Sequence, residues 1–443
     1  MVDLAQPQGR LARTLLSEQT PLADEFVSEQ ESRRDRGLNH ELYDVTAWSL
    51  PLMFGLETKQ CNRASISDTT IVTADDPIMP VGSVGAEFGY IIPWTDSGQA
   101  RLVIAALQER LKGKTTDEPF TYEGETYPSG SAIFTIAANS PYLGRNLSEL
   151  ATEIGAEFIA MDTSWVEDGP NFGSSSFATL KLPKVALAWG EGTSPTSAGS
   201  MRYVLERKLG LPVATIRVSS MSRADLSDYD VVILPDSYGD MLDTFGRASL
   251  LEDFVEGGGV LIAIDGALAE LSSSDLGLIS TKREYAVSEG DQKDEDDAEA
   301  SRVEGTILET VDEYEAYIHD HRASPEDIPG VLVKVEANTD HWLSAGYDSA
   351  IALVTGRDIY RPLNEADGVN IFRFADADEL LVSGYLWEEN RVQLAYKPFV
   401  MVEEVGQGVT IGFTQSPATR AYLDGLNLLI ANAVIIGPSR VAH

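Results

Sequence analysis

Residues Asp253 to Leu271 read DFVEGGGVLIAIDGALAEL. An amphipathic run ends in three glycines, a short apolar strand follows, and a sharp Asp-Gly turn opens a second helix-like run. A phosphate-binding glycine loop must follow a strand and feed a helix N-terminus. Gly257-Gly258-Gly259 precede the strand instead, so they read as a helix stop and a tight turn. The strand–turn–helix shape is the one that presents a nucleophile in many α/β enzymes. Here the Gly-x-Ser-x-Gly pattern is replaced by Ala263-Ile264-Asp265-Gly266-Ala267. An aspartate stands at the turn, and the nearest serines, Ser272 to Ser274, fall well inside the following helix. The stretch is an active site, a binding site or a scaffold without its chemistry.

Around it the chain alternates strands and helices. KVALAWG from Lys184, LPVATIRV, DYDVVILPD and VLIAID are apolar, β-branched runs. SAGSMRYVLERKLG and TFGRASLLEDFVEGGG lie between them at helical period. This alternation predicts parallel βαβ units, and near-continuous apolar strands predict a sheet covered on both faces. The expected fold class is α/β: a doubly wound, mainly parallel sheet over residues 181–443. Upstream, residues 61–180 read as a smaller mixed α/β module. It contains EFGYIIPW as a strand, SGQARLVIAALQERL as a helix capped by Ser97, and PFTYEGETYPSGSAIFTI as a hairpin around Glu123-Gly124 or as two strands with turns at Gly124 and Pro128-Gly130. LGRNLSELATEIG reads as a helix stopped by Gly155. Residues 1–60 read as a connecting and docking segment in which YDVTAWSLPLMFG is the buried part. Residues 276–329 break the pattern with the acidic run SEGDQKDEDDAEASRVEG and a helical stretch, ILETVDEYEAYIHDH, and read as an insertion. After it come further strands and a last amphipathic helix, PATRAYLDGLNLLIANAVI.

The chain has 443 residues, 70 Asp and Glu against 33 Lys and Arg, and a formal net charge of −37. Such a surface repels phosphate backbones and anionic bilayers, so nucleic acid and membrane are poor partners. No apolar run approaches the roughly 20 residues of a membrane span. No signal peptide is visible at the N-terminus, so the expectation is a cytoplasmic protein or a chain that starts downstream of its true beginning. The lone Cys61 lies in the polar stretch ETKQCNRAS and cannot form an internal disulfide.

The five histidines, His40, His319, His321, His341 and His443, form no His-Glu-x-x-His and none is followed three residues later by Glu. They read as solvated side chains, and no zinc site made by this chain is visible. A catalytic triad also lacks its base, because GFTQSP offers Gln415 at the end of the last strand. The loop AWGEGTSPTSAGSMRY reads either as a plain polar connection or as a binding loop at the carboxyl end of a strand, where open α/β sheets take ligands. Glu191, Asp236 and Asp265 all follow expected parallel strands. A ligand crevice would be built from Glu191, Ser197, Ser200, Asp236, Asp265 and Gln415, with Tyr385 and Trp387 of GYLWEEN as an aromatic wall. Its ligand would be a peptide or a carbohydrate. A further reading has Asp265 acting chemically with Glu191 or Asp236.

LAQPQGRLARTLL, YDVTAWSLPLMFG, PFTYEGETYPSGS, DTSWVEDGPNFGSSSFATLKLPKVALAW, SAGSMRYVLER, YDVVILPD and VSGYLWEEN together resemble the region downstream of the catalytic domain in large bacterial secreted zinc carboxypeptidases. YDVTAWSLP and SGYLWEEN carry the resemblance most specifically, and it runs from Leu4 to about Pro438. It implies that residues 181–443 are similar to the class I glutamine amidotransferase fold, with the nucleophile Cys falling at Asp265 and the catalytic His near Gln415. It implies a non-catalytic accessory region that aids stability, substrate positioning or partner binding, with a peptidase domain as partner in cis or in trans. The location it implies is extracellular or periplasmic. It places the zinc in that peptidase domain and no cofactor in this chain. The alternative is a stand-alone ligand-binding protein.

Overall fold

The computed structural model describes residues 2–61 apart from 37 and 44, residues 73, 82 and 84–287, and residues 324–441. The acidic run at 288–305, the helix expected over 307–321, His319, His321 and His443 lie outside the described residues.

Seven short strands make the first half of the described chain: β1 Gly89–Ile92, β2 Gly113–Thr116, β3 Phe120–Tyr122, β4 Glu125–Tyr127, β5 Ala132–Thr135, β6 Ile159–Met161 and β7 Phe177–Thr179. Five of them form an antiparallel sheet in the order β6-β1-β5-β2-β7. β3 and β4 pair as the expected hairpin, and Glu123 and Gly124 both take positive φ at its tip, which is what a two-residue hairpin loop requires. The helix Ser97–Gln108 starts one residue earlier than the sequence suggested. Its cap is Asp96, whose carboxylate accepts the N–H groups of Gly98 and Gln99 at 2.6 and 3.2 Å, and a carboxylate also suits the positive end of the helix. The helix Leu143–Ile154 stops at Gly155 with φ +79°.

The large sheet has ten strands. β8 Val185–Trp189, β9 Val213–Arg217, β10 Val231–Leu234, β11 Val260–Ile264, β12 Ile328–Ala337, β13 Ser349–Gly356, β14 Val369–Phe374, β15 Leu381–Ser383, β16 Pro398–Val405 and β17 Gly408–Phe413 run in the order β13-β12-β14-β16-β17-β11-β10-β8-β9, and β15 pairs with β12. The expectation of a mainly parallel sheet needs correction, because the sheet is mixed. β9, β8, β10, β11 and β17 are parallel neighbours. From β17 outward every pairing is antiparallel. The physical reason lies in the connections. Helices between β8, β9, β10 and β11 allow parallel return, whereas Val405 and Gly408 close a hairpin that forces β16 and β17 antiparallel.

Alternate residues of the parallel strands enter two different cores. Val185, Leu187, Val231, Ile233, Val260, Ile262 and Ile264 join one, and Ala186, Ala188, Val232, Leu234, Leu261 and Ala263 join the other. Period-two burial on both faces is why these segments carry no polar alternation. The first core continues without a break into the antiparallel module through Ala100 to Leu107 of its helix. At that junction Trp94 donates its indole N–H to Asn432 Oδ1 at 2.6 Å, and Asn432 Nδ2 donates to the carbonyls of Leu343 and Ala345 at 2.8 Å each. The last helix, Asn427–Ala431 continued to Ile436, is buried all round rather than amphipathic. It passes between the two sheets' shared core elements, so it has no solvent face to make polar.

The N-terminal segment packs on its own chain. Thr46 bonds the carbonyl of Gly330 and accepts the N–H of Tyr385, Thr20 reaches Ser383, and Ala47 and Met53 are buried. Part of the expected insertion is also ordinary packed structure: Leu278 and Ile279 are buried, and β12 already begins at Ile328.

Candidate functional site

The carboxyl ends of the parallel strands open into a cleft of about 410 Å³. Its floor is the turn after β11. Asp265 has φ +51° and ψ −115°, a backbone geometry that an L residue adopts only under strain and that typifies a nucleophile-type elbow. The surroundings hold it there: the Asp265 N–H donates to the Phe413 carbonyl at 2.9 Å, and the Asp265 carbonyl accepts Ala269 N–H at 3.0 Å and the Tyr360 hydroxyl at 3.4 Å. The next residue has to be glycine. A Cβ on Gly266 would lie 2.2 Å from the Ser237 carbonyl oxygen and 2.9 Å from Asp236 Oδ1.

Asp236, after β10, is held differently. Its carboxylate accepts the Gly266 N–H at 3.2 Å, its backbone N–H donates to Ser197 Oγ at 3.1 Å, and its carbonyl accepts Ser194 N–H at 2.7 Å. Ser194 caps the helix Pro195–Tyr203, and this helix brings Ser197 and Ser200 to the cleft wall. The loop before it is pinned by a bridge between Thr193 and Ser237.

Burial raises both acids. Desolvation pushes Asp265 up to about 8, with the negative charges of Asp236 and Asp358 adding to it. Desolvation also raises Asp236, while hydrogen bonds from Gly266, Ser194 and Ser237 oppose the shift. Tyr360, buried beside Asp358 and Asp265, is raised far above the ordinary phenol range. At neutral pH the Asp265 carboxyl is therefore protonated. It can donate one hydrogen bond and accept others, but it is a poor nucleophile.

Of the residues named from the sequence, Ser197, Ser200, Asp236, Asp265 and Gln415 come together around this cleft. Gln415 is nearly buried, and its Oε1 accepts the N–H of Thr355 at 2.9 Å. A neutral amide used this way orients a wall and cannot take a proton. Glu191 does not join them. It sits exposed at the tip between Gly190 and Gly192, both at positive φ, which turn the loop away. The aromatic wall is also elsewhere. Trp387 is 1 % exposed under the N-terminal segment, its indole donates to the Asp327 carbonyl at 2.9 Å, and the Arg34 guanidinium stacks 4.7 Å from its ring centroid. Tyr385 donates its hydroxyl to Glu31 at 3.1 Å. Both aromatics bind the chain to itself.

The sequence reading missed the opposite wall. His40, Leu42 and Val45 from the N-terminal segment, Asp327, Ile328 and Thr355 from the antiparallel strands, and Arg420 complete the cleft. His40 Nε2 lies 3.7 Å from Asp327. These contacts join positions some 290 and 380 residues apart, and no local period marks them. The positive φ of Arg420 has no sequence signal either. His341, by contrast, is half-buried, lowered to about 4 by desolvation, and accepts Leu343 N–H at 3.1 Å as part of a local turn. Among the described residues no group of three or more His, Cys, Asp or Glu is placed to hold a metal ion, and no helix is long and apolar enough to cross a membrane.

No protein-family model and no curated protein matches the chain. Similar solved structures include a ThuA-like protein from Parabacteroides merdae, 14 % identical, covering 59 % of this chain and 92 % of that one with a TM-score of 0.37. A ThuA-like protein from Bacteroides uniformis is 14 % identical over 56 % of this chain and 89 % of its own, with a TM-score of 0.35. The β-galactosidase from Bacillus circulans sp. alkalophilus is 15 % identical over 66 % of this chain with a TM-score of 0.33, and the match spans 33 % of that enzyme's length.

Proposed function

We propose that the chain is a non-catalytic binding module whose cleft at Ser197, Ser200, Asp236, Asp265 and Gln415 takes a small polar ligand of carbohydrate or peptide type. One observation carries this reading: the turn after β11 keeps the strained geometry of a nucleophile elbow, yet presents a carboxyl group that burial raises to about 8, a poor nucleophile at neutral pH. The large α/β domain is then a glutamine amidotransferase-like scaffold, doubly wound in its parallel half, that retains the shape of an active site without its cysteine and histidine. Hydroxyl, carboxyl and amide groups facing one cavity suit a ligand rich in hydrogen-bonding groups. A thermal-shift series with monosaccharides, short oligosaccharides and di- and tripeptides tests it. A ligand that binds only the folded state raises stability by about 2.7 kcal/mol at 100 times its dissociation constant. The expected result is a dose-dependent rise that Ser200→Trp removes. A hydrolase or amidotransferase activity lost in Asp265→Asn overturns the reading.

A second reading is favoured by the surface of the N-terminal segment. Leu4, Leu11, Tyr43, Trp48, Leu50, Phe54 and Leu56 are exposed, and the helix Gly9–Leu16 buries no apolar side chain. Clustered exposed apolar groups mark a surface for another protein. The sequence resemblance supplies the partner: a zinc carboxypeptidase domain, in cis or in trans, in an extracellular or periplasmic setting. The zinc belongs to that partner domain in this reading, and no catalytic step is assigned to this chain. Mixing the chain with such a domain should give a complex on gel filtration. Leu11→Asp with Trp48→Asp should abolish it, and failure of the wild-type chain to associate overturns this reading.

A further inference from the structure

A second cavity shares no lining residue with the cleft and lies beside the antiparallel sheet. It measures about 670 Å³ and sits between β5, β2 and β7, Phe88, and the loop carrying Ser164 and Asn171 to Gly173. Its apolar lining includes Phe88, Leu111, Ile133, Ala138, Phe172 and Leu180, with Phe88 and Phe172 stacked at 6.0 Å. Its only charged lining residues are Lys112 and Lys114.

Those two lysines are out of place in this chain. There are ten lysines in all, against 70 acidic residues, so a lysine on a sheet face has ample chance of an acidic neighbour. Lys114 instead has Ile133 and Thr179 as its cross-strand partners. Opposite charges at such positions stabilise a sheet, and an apolar neighbour gives a charge nothing. Neither Lys112 nor Lys114 forms an ion pair among the described residues, although both are exposed. Their alkyl stems can lie along the apolar wall while the ammonium groups stay at the rim. Thr135, Thr179, Ser164 and Asn171 add hydrogen-bonding groups at the same mouth.

We propose that this cavity is a binding site for a small amphipathic carboxylate, a medium-chain fatty acid or a similar apolar body with one terminal anion. The cavity lies in the size range of small-molecule sites. Its interior excludes a fully polar ligand, and its paired lysines select an anion over a neutral or cationic head. A protein of this net charge repels anions in general, so binding of one has to come from a local arrangement of this kind.

Calorimetric titration of the whole chain with decanoate, decanol and decylamine, each below micelle-forming concentration, tests it. Decanoate should bind at one site, decanol about tenfold or more weaker, and decylamine weakest, because a charge-assisted hydrogen bond is lost and then replaced by repulsion. Lys112→Ala with Lys114→Ala, both on exposed positions, should weaken decanoate about tenfold or more and bring it level with decanol. Ala138→Trp, at the exposed rim of the cavity, should abolish binding of all three while leaving the melting midpoint close to that of the wild type. Equal affinity for decanoate and decylamine, indifference of decanoate to the lysine substitutions, or no binding by the wild-type chain each overturns the proposal.

Discussion

The turns after β10 and β11 put the same residue type at equivalent ends of neighbouring parallel strands and treat it in opposite ways. Asp236 has ordinary backbone geometry and spends its carboxylate on the Gly266 N–H. Asp265 has a strained backbone, its carboxyl faces the cleft, and its acidity is shifted to about 8. One aspartate is a structural brace. The other is displayed by the fold at a cost in local strain of about 1–3 kcal/mol. Being a carboxylate after a strand is therefore not what marks the site; the backbone that carries the carboxylate is.

The largest test of this contrast removes the seam between the two turns. Gly266→Val drives a side chain into the Ser237 carbonyl and Asp236, and should lower stability by about 4 kcal/mol or more, read as the urea midpoint. An unchanged midpoint would show that the two turns do not touch as described.

The next concerns protons. A folded value of about 8 for Asp265, against about 3.9 in the unfolded chain, means the folded state holds the extra proton between those limits. Stability then falls as pH rises from about 4 to about 8 and loses no more from this group above that. Asp265→Asn should flatten this part of the profile, with an advantage over the wild type that grows to the order of 5 kcal/mol by about pH 8. Parallel pH profiles of the two proteins would sink the idea of a buried, protonated carboxyl.

A matched pair comes third. At about pH 5, where the Asp265 carboxyl is already neutral, Asp265→Gly relieves the strain and should stabilise by about 1 kcal/mol after the entropic cost of glycine. Asp236→Gly loses the brace and should destabilise by about 1–3 kcal/mol. Urea titrations that move both midpoints in the same direction would erase the distinction between the turns. The smallest effect is a control outside both. Arg34→Ala removes the cation over Trp387 and should cost about 0.5–1 kcal/mol, with the pH profile of unfolding unchanged.

Much of this arrangement was legible in the sequence where a local rule governs it. The apolar runs Val185–Trp189, Val231–Leu234 and Val260–Ile264 become strands buried on both faces, whereas Val213–Arg217 is an edge strand and stays largely exposed, and Gly155 and Gly124 stand where positive φ is needed. The Asp265 elbow could be located from the strand, the Asp-Gly pair and the helix that follows. The antiparallel strands were visible as strands, but their direction was not, since period-two burial is the same for either. The Ser97 cap was misplaced by one residue because Asp96 offers the better acceptor. Aromatic residues often line ligands, which makes Tyr385 and Trp387 look like a cleft wall in the sequence, yet the same amphipathic character lets them clamp an N-terminal segment. His40 has no partner nearby in sequence, and its spatial neighbour Asp327 lies 287 residues away.

The hydrogen-bond fork at Asn432 has a consequence for how the molecule can be taken apart. Its one amide group satisfies the Trp94 indole on one side and two carbonyls at 343 and 345 on the other. A chain severed after residue 180 would leave the first fragment with a bared tryptophan and the second with a side-chain oxygen facing a void. Neither piece closes its own interior, so the two sheets should melt in one calorimetric event. The change from antiparallel to parallel pairing near residue 180 separates two sheets that share one hydrophobic core.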